Sequence, residues 1–130
     1  MNADLGTLRT LVEMARVLVA VPRVEIDRRR SSLHHAVRSM RQRSSGRASR
    51  SLEGRRRLRS AIAFVDARLP GGPNCVRRSL LEMSLDAGAA REKLLAGFVS
   101  GGGKKSGHAW LEFESAQTKF DDKFDAVIAI

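Results

Sequence analysis

An α+β fold, with N-terminal helices packed on a small antiparallel sheet, is predicted by the order of two patterns. Up to Gly88 the apolar residues recur at helical spacing. After Gly88 they come as short apolar or alternating runs bounded by a glycine-rich turn. The switch happens once, with no internal repeat, which is the plan of helices followed by a hairpin sheet.

The elements follow in order. "DLGTLRTLVEMARVLVAV" places Leu5, Leu8, Leu11, Val12, Ala15, Leu18 and Val19 on one helical face, and Pro22 is expected to end that helix. "SSLHHAVRSMRQR" opens on a serine cap, with Leu33, Val37 and Met40 at helical spacing. "SSGRAS" reads as a turn. "RRRLRSAIAFVDARL" carries Leu58, Ile62, Val65 and Leu69 in one stripe, and Pro70 stops it before the sharp loop "PGGP". Asn74 is a good N-cap for "CVRRSLLEMSLDAG", with Gly88 as the expected C-cap. "KLLAGFVS" is a strand. "GHAWLEF" alternates, with His108, Trp110 and Glu112 on one face and Ala109, Leu111 and Phe113 on the other. "ESAQ" is a turn, "TKFDD" a weaker strand, and "FDAVIAI" a final strand or a terminal apolar segment. The chain divides into a basic N-terminal helical region, residues 1–57, and a core, residues 58–130, that together form one compact domain.

Charge is distributed unevenly. Sixteen arginines against six acidic residues between Met1 and Asn74 hold the whole net charge of +10, and the remainder is balanced. In the densest run, Arg28 to Arg59, only Glu53 opposes the arginines. Such a run is either a solvated helical hairpin or a docking surface for an acidic partner. Nucleic acid is disfavoured as that partner, because the run has no aromatic residue to stack on bases and no DNA-binding motif. No apolar run reaches the length of a membrane span, and "LVEMARVLVAV" is interrupted by Glu13 and Arg16. It also lacks the features of a signal peptide. A single cysteine makes no internal disulfide and no structural zinc site, which fits a reducing cytoplasm and predicts neither metal nor cofactor.

That cysteine organises the chemistry. Cys75 falls in the first turn of its helix, where amide donors and the positive dipole end favour thiolate, and Arg77 and Arg78 add positive charge. By position alone it reads equally well as a small buried hydrophobe. His108 lies mid-strand between Gly107 and Ala109, small neighbours that leave an imidazole approachable as a base for the cysteine. Alone it is an ordinary hairpin histidine. A hairpin through "ESAQ" returns the chain near Asp121, about 5 Å across from His108, as an orienting acceptor. His34 and His35 have no such neighbours and read as surface residues. "GGGKKSG" is not a phosphate loop. Lys104 stands where glycine is required, and the segment leads into a strand rather than a helix. It is a hairpin connection.

"NCVRRSLLEMSLDAG", "LLAGFVSGGG", "GHAWLEF" and "FDD" together resemble the transglutaminase-like cysteine proteases of lasso-peptide biosynthesis, relatives of the C-terminal domain of the microcin-processing protein. The resemblance runs from Leu58 to Asp125. It departs from the family at Val76, usually leucine, and at Gly107, usually alanine. It implies a transglutaminase-like, papain-like core with Cys75 as nucleophile, His108 as base and Asp121 as orienting acid. The hairpin is one residue longer than the family's, which leaves Asp122 as a rival. Trp110 and Arg78 are the expected substrate-binding residues. The implied reaction removes the leader from a ribosomally made precursor peptide through a thioester. The implied partners are the precursor leader, a separate small leader-binding protein and an ATP-dependent lasso cyclase. Two other classes stay open: another transglutaminase-like acyl transferase or amidase, and a non-catalytic basic nucleic-acid-binding or scaffold protein.

Overall fold

The computed structural model describes residues 2–101, 104–113, 124 and 126–130. Helices come first: α1 (Asn2–Arg30), α2 (Leu33–Ser44), α3 (Leu52–Asp66), α4 (Cys75–Leu85) and the short α5 (Ala87–Ala90). The strands β1 (Leu94–Gly101), β2 (Lys104–Leu111) and β3 (Ala126–Ala129) form an antiparallel sheet in the order β2-β1-β3. This is the α+β plan expected. In the β1–β2 hairpin Gly97 stands opposite His108 and Leu94 opposite Leu111. Most of "GGGKKSG", expected as the connection, belongs to the strands themselves: Gly101 ends β1 and Lys104 to Gly107 open β2. The terminal apolar segment is a strand, paired with β1 so that Leu95 faces Ala129.

α4 is the central helix. It packs on α1, α2, α3 and β2, and eight of its residues from Arg77 to Leu85 are buried. A helix buried nearly all round needs apolar residues on several faces. Leu80, Leu81 and Met83 supply them, each fully buried. Val17, Val37, Met40, Leu58, Leu94 and Leu111 close the same cluster from the other elements. The core therefore draws on residues from both sides of position 57.

Two helices differ from the sequence expectation. α1 does not stop at Pro22 but runs through it to Arg30. Proline removes a backbone donor from a helix interior. Here tertiary contacts beyond the proline outweigh that loss: Val24 is buried, and Asp27 accepts a hydrogen bond from Ser39 Oγ at 2.8 Å. Glu25 accepts from Arg28 and Arg29, and its carboxyl is held below the ordinary range chiefly by the hydrogen bond from Arg28. The buried face of α1 is also not the leucine-rich one. Glu13, Val17, Val21 and Val24 face the core, while Leu5, Leu8, Leu11 and Leu18 stay exposed. Glu13 is tolerated there because Arg50 pairs with it. The second difference is at Gly88, which is not the C-cap of α4. Asp86 ends α4 and, accepting from the Gly88 N–H at 2.9 Å, caps α5.

The arginine-rich run is not one solvated face. Arg41 donates to the carbonyls of Ala90, Glu92 and Ile130 at 3.0–3.2 Å. Arg50 donates to the Leu85 carbonyl at 3.2 Å. Arg55, 8% exposed, pairs with Glu82 at 2.7 Å and with Glu92, and lies 4.3 Å over the Phe113 ring. Burial alone would lower its pKa, but the hydrogen bonds to Glu92 and Glu82 carry it above the ordinary arginine value. These arginines tie the N-terminal helices to the C-terminal half, whereas His34 and His35 are exposed, as expected.

Candidate active site

The start of α4 is fixed by its sequence neighbours. Gly71 and Gly72 take positive φ, 87° and 76°, where a side chain would be strained. The turn they make aims the Gly72 carbonyl at Arg77, which donates to it at 2.8 Å. Asn74 caps the helix, its side chain accepting from the Arg77 N–H at 2.9 Å. Asp66, fully buried at the end of α3, accepts from the Asn74 N–H at 2.9 Å and from Arg77 Nε at 2.6 Å. Arg77, 2% exposed, also donates to the Asp66 carbonyl at 3.2 Å and lies 3.5 Å from Glu25. The loop, the cap and the carboxylate thus lock one register, and Cys75 is the first residue of the helix so held.

Cys75 is half-buried. The backbone N–H of Ala109 on β2 donates to its Sγ at 3.4 Å. Cys75 and His108 line one cleft of about 80 Å³, with Ala109, Arg78, Ser79 and Glu82 among its walls. The helix start and the middle of β2, remote in sequence, therefore meet at one opening. Behind that opening His108 belongs to an aromatic stack. Its ring centroid is 5.7 Å from that of Trp110 and 6.3 Å from that of Phe124, nearly parallel to the latter. Trp110 and Phe124 are 5.1 Å apart. Gly97 makes room for this stack, because a Cβ there would stand 2.6 Å from the Phe124 ring.

The remaining expectations divide. Arg78 is in the cleft wall, its side chain 42% exposed and 3.5 Å from Asp66. Trp110, expected to bind substrate, is fully buried and stacks against His108. Arg77 does not bring free charge to Cys75, since Asp66 pairs with it. Asp121 and Asp122 lie outside the described residues. Residues not singled out from sequence also line the cleft, notably Arg59 and the buried Glu82. Cys75, Arg78, Ser79 and Glu82 fall at i, i+3, i+4 and i+7, a one-face spacing that the sequence does display. Asp66, by contrast, sends no local signal.

Among the described residues no group of histidine, cysteine and acidic side chains could hold a metal ion, and no helix is long and apolar enough to cross a membrane. No curated protein and no solved structure matches the chain. The family model of the transglutaminase-like superfamily matches residues 17–126, most of the chain, including Cys75 and His108. The chain belongs to the transglutaminase-like superfamily, a group of cysteine peptidases and acyl transferases.

Proposed function

We propose that this chain is a cytoplasmic cysteine peptidase that removes the leader from a ribosomally made lasso-peptide precursor. The observation that carries the reading is the meeting of Cys75 and His108 in one cleft, with the Ala109 amide donating to the sulfur. Sγ of Cys75 attacks the scissile carbonyl carbon. His108 takes the thiol proton and returns it to the leaving amine as the peptide bond breaks and a thioester remains. Water then hydrolyses the thioester, releasing the leader acid and the free thiol. Asp121, or its neighbour Asp122, orients the imidazole in this scheme. Arg78, half-exposed at the cleft, contacts the substrate. A separate leader-binding protein delivers the precursor, and an ATP-dependent cyclase consumes the released core.

The test is incubation with a lasso-peptide precursor and a leader-binding protein, read by mass spectrometry. Wild type is expected to yield leader and core masses that sum to the precursor plus one water. Cys75→Ala is expected to lose at least about 10³-fold in rate. Equal cleavage by both removes Cys75 as nucleophile. A cross-linked or transamidated mass in place of hydrolysis assigns the acyl-transferase alternative.

A further inference from the structure

α1 carries two apolar faces, and only one is in the core. On the opposite side Leu5, Val12, Val19 and Ile26 recur every seventh residue and are exposed by 58%, 41%, 81% and 49%. Leu8 and Ala15, also exposed, follow three residues after the first two of these. That is the a/d spacing of a coiled-coil seam. Pro22 occupies the next d position, so the regular seam runs from Leu5 to Val19. The e position, immediately after d, is arginine every time: Arg9, Arg16, Arg23 and Arg30, all exposed. Among the described residues only Arg16 of these four is in an ion pair, with Glu13 at 3.5 Å.

Beside the arginine flank the surface is concave. A groove of about 510 Å³ has Val12, Ala15 and Val19 on one wall and Arg43, Arg47 and Leu85 on the other. Positive charge crowds there: burial, Arg23 and Arg47 together hold the Arg43 guanidinium below its ordinary value, against the opposing pull of Asp27.

We propose that this face of α1 docks an acidic amphipathic helix of a separate protein, its apolar stripe seated on the Leu5–Val19 seam and its flanking aspartates or glutamates set against the arginines. The charges select this occupant. A second copy in antiparallel register would place arginine against arginine. In parallel register it would place Arg16 and Arg23 against Leu11 and Leu18, and Arg30 against a Glu25 already engaged by Arg28 and Arg29, and both chains carry +10. A membrane surface would meet the exposed leucines but leave the concave groove unfilled. A nucleic acid would satisfy the arginines and leave the seam in water. The inference does not depend on Cys75 and extends to any reaction at the cleft.

The test uses the full chain and synthetic helical peptides about three heptads long, with an Ile/Leu seam flanked by glutamate, the same seam flanked by lysine, and a scrambled glutamate peptide. Fluorescence anisotropy is expected to show saturable binding of the glutamate-flanked peptide. Binding of the lysine-flanked and scrambled peptides should be weaker by about tenfold or more. A Val12→Glu/Val19→Glu variant should lose the glutamate peptide by a similar factor. Both positions are exposed, so its circular dichroism should match wild type. An Arg16→Glu/Arg23→Glu variant should instead gain the lysine-flanked peptide. No binding, binding that ignores the seam or the flank, or a self-associated chain in sedimentation would overturn the proposal. So would loss of anionic-vesicle binding in the same variants with no peptide binding in wild type, which would assign the face to a membrane.

Discussion

Arg77 and Arg30 show how one residue type serves opposite ends. Arg77 is 2% exposed and engages Asp66, the Asp66 carbonyl and the Gly72 carbonyl. Its charge is spent inside the protein, and what it produces is position: the loop, the cap and the first turn of α4 are held together beneath Cys75. Arg30, at the far end of the seam on α1, is exposed and in no ion pair among the described residues. Its charge faces outward, where it acts on whatever approaches. The lesson is that the net charge of +10 overstates the outward field. Arg41, Arg50, Arg55 and Arg77 hold elements together, and the surface character is set by the remaining arginines, aligned along α1 and gathered at Arg43 and Arg47.

Substitutions break the comparison at either end. Asp66→Ala leaves a buried guanidinium without its main carboxylate and should cost about 3 kcal/mol, since Glu25 still faces Arg77. Urea denaturation measures this, and a cost below about 0.5 kcal/mol would mean that the pair does not brace the start of α4. Arg30→Ala should change stability by no more than about 0.5 kcal/mol. A larger loss in the same denaturation series would place Arg30 among the internal clamps and dissolve the contrast.

Much of the scaffold was legible because its signals are local. Ser32 and Asn74 cap where their side chains can reach the next turn. The glycines of "PGGP" turn where positive φ is needed, and alternation marked β2. What was not legible depends on tertiary choice. α1 has apolar residues on both sides, and the richer side, with Leu8 and Leu18, is the one left out. The buried side contains Glu13, which Arg50, more than thirty positions on, makes acceptable together with its local partner Arg16. Pro22 ends a helix by local rules, but contacts made by Val24, Glu25 and Asp27 carry the helix past it. In the site, Cys75 and His108 were found by residue type and position, and the fold brings them to one cleft. The alternation of its strand puts Trp110 on the face of His108 but does not say what covers that face. The sheet is covered on that side by Phe124, so the indole is enclosed. Asp66 sits at the end of an ordinary apolar stripe, and only its partners reveal its task.

The central claim is that the imidazole of His108 works on the sulfur of Cys75. The most direct measurement is the alkylation rate of Cys75 by iodoacetamide at neutral pH, wild type against His108→Ala, followed by intact-protein mass. As the chain's single cysteine, Cys75 reports without interference. The account predicts alkylation slower by about tenfold or more in the variant, with an unchanged circular dichroism spectrum. Equal rates in the two folded proteins would contradict it.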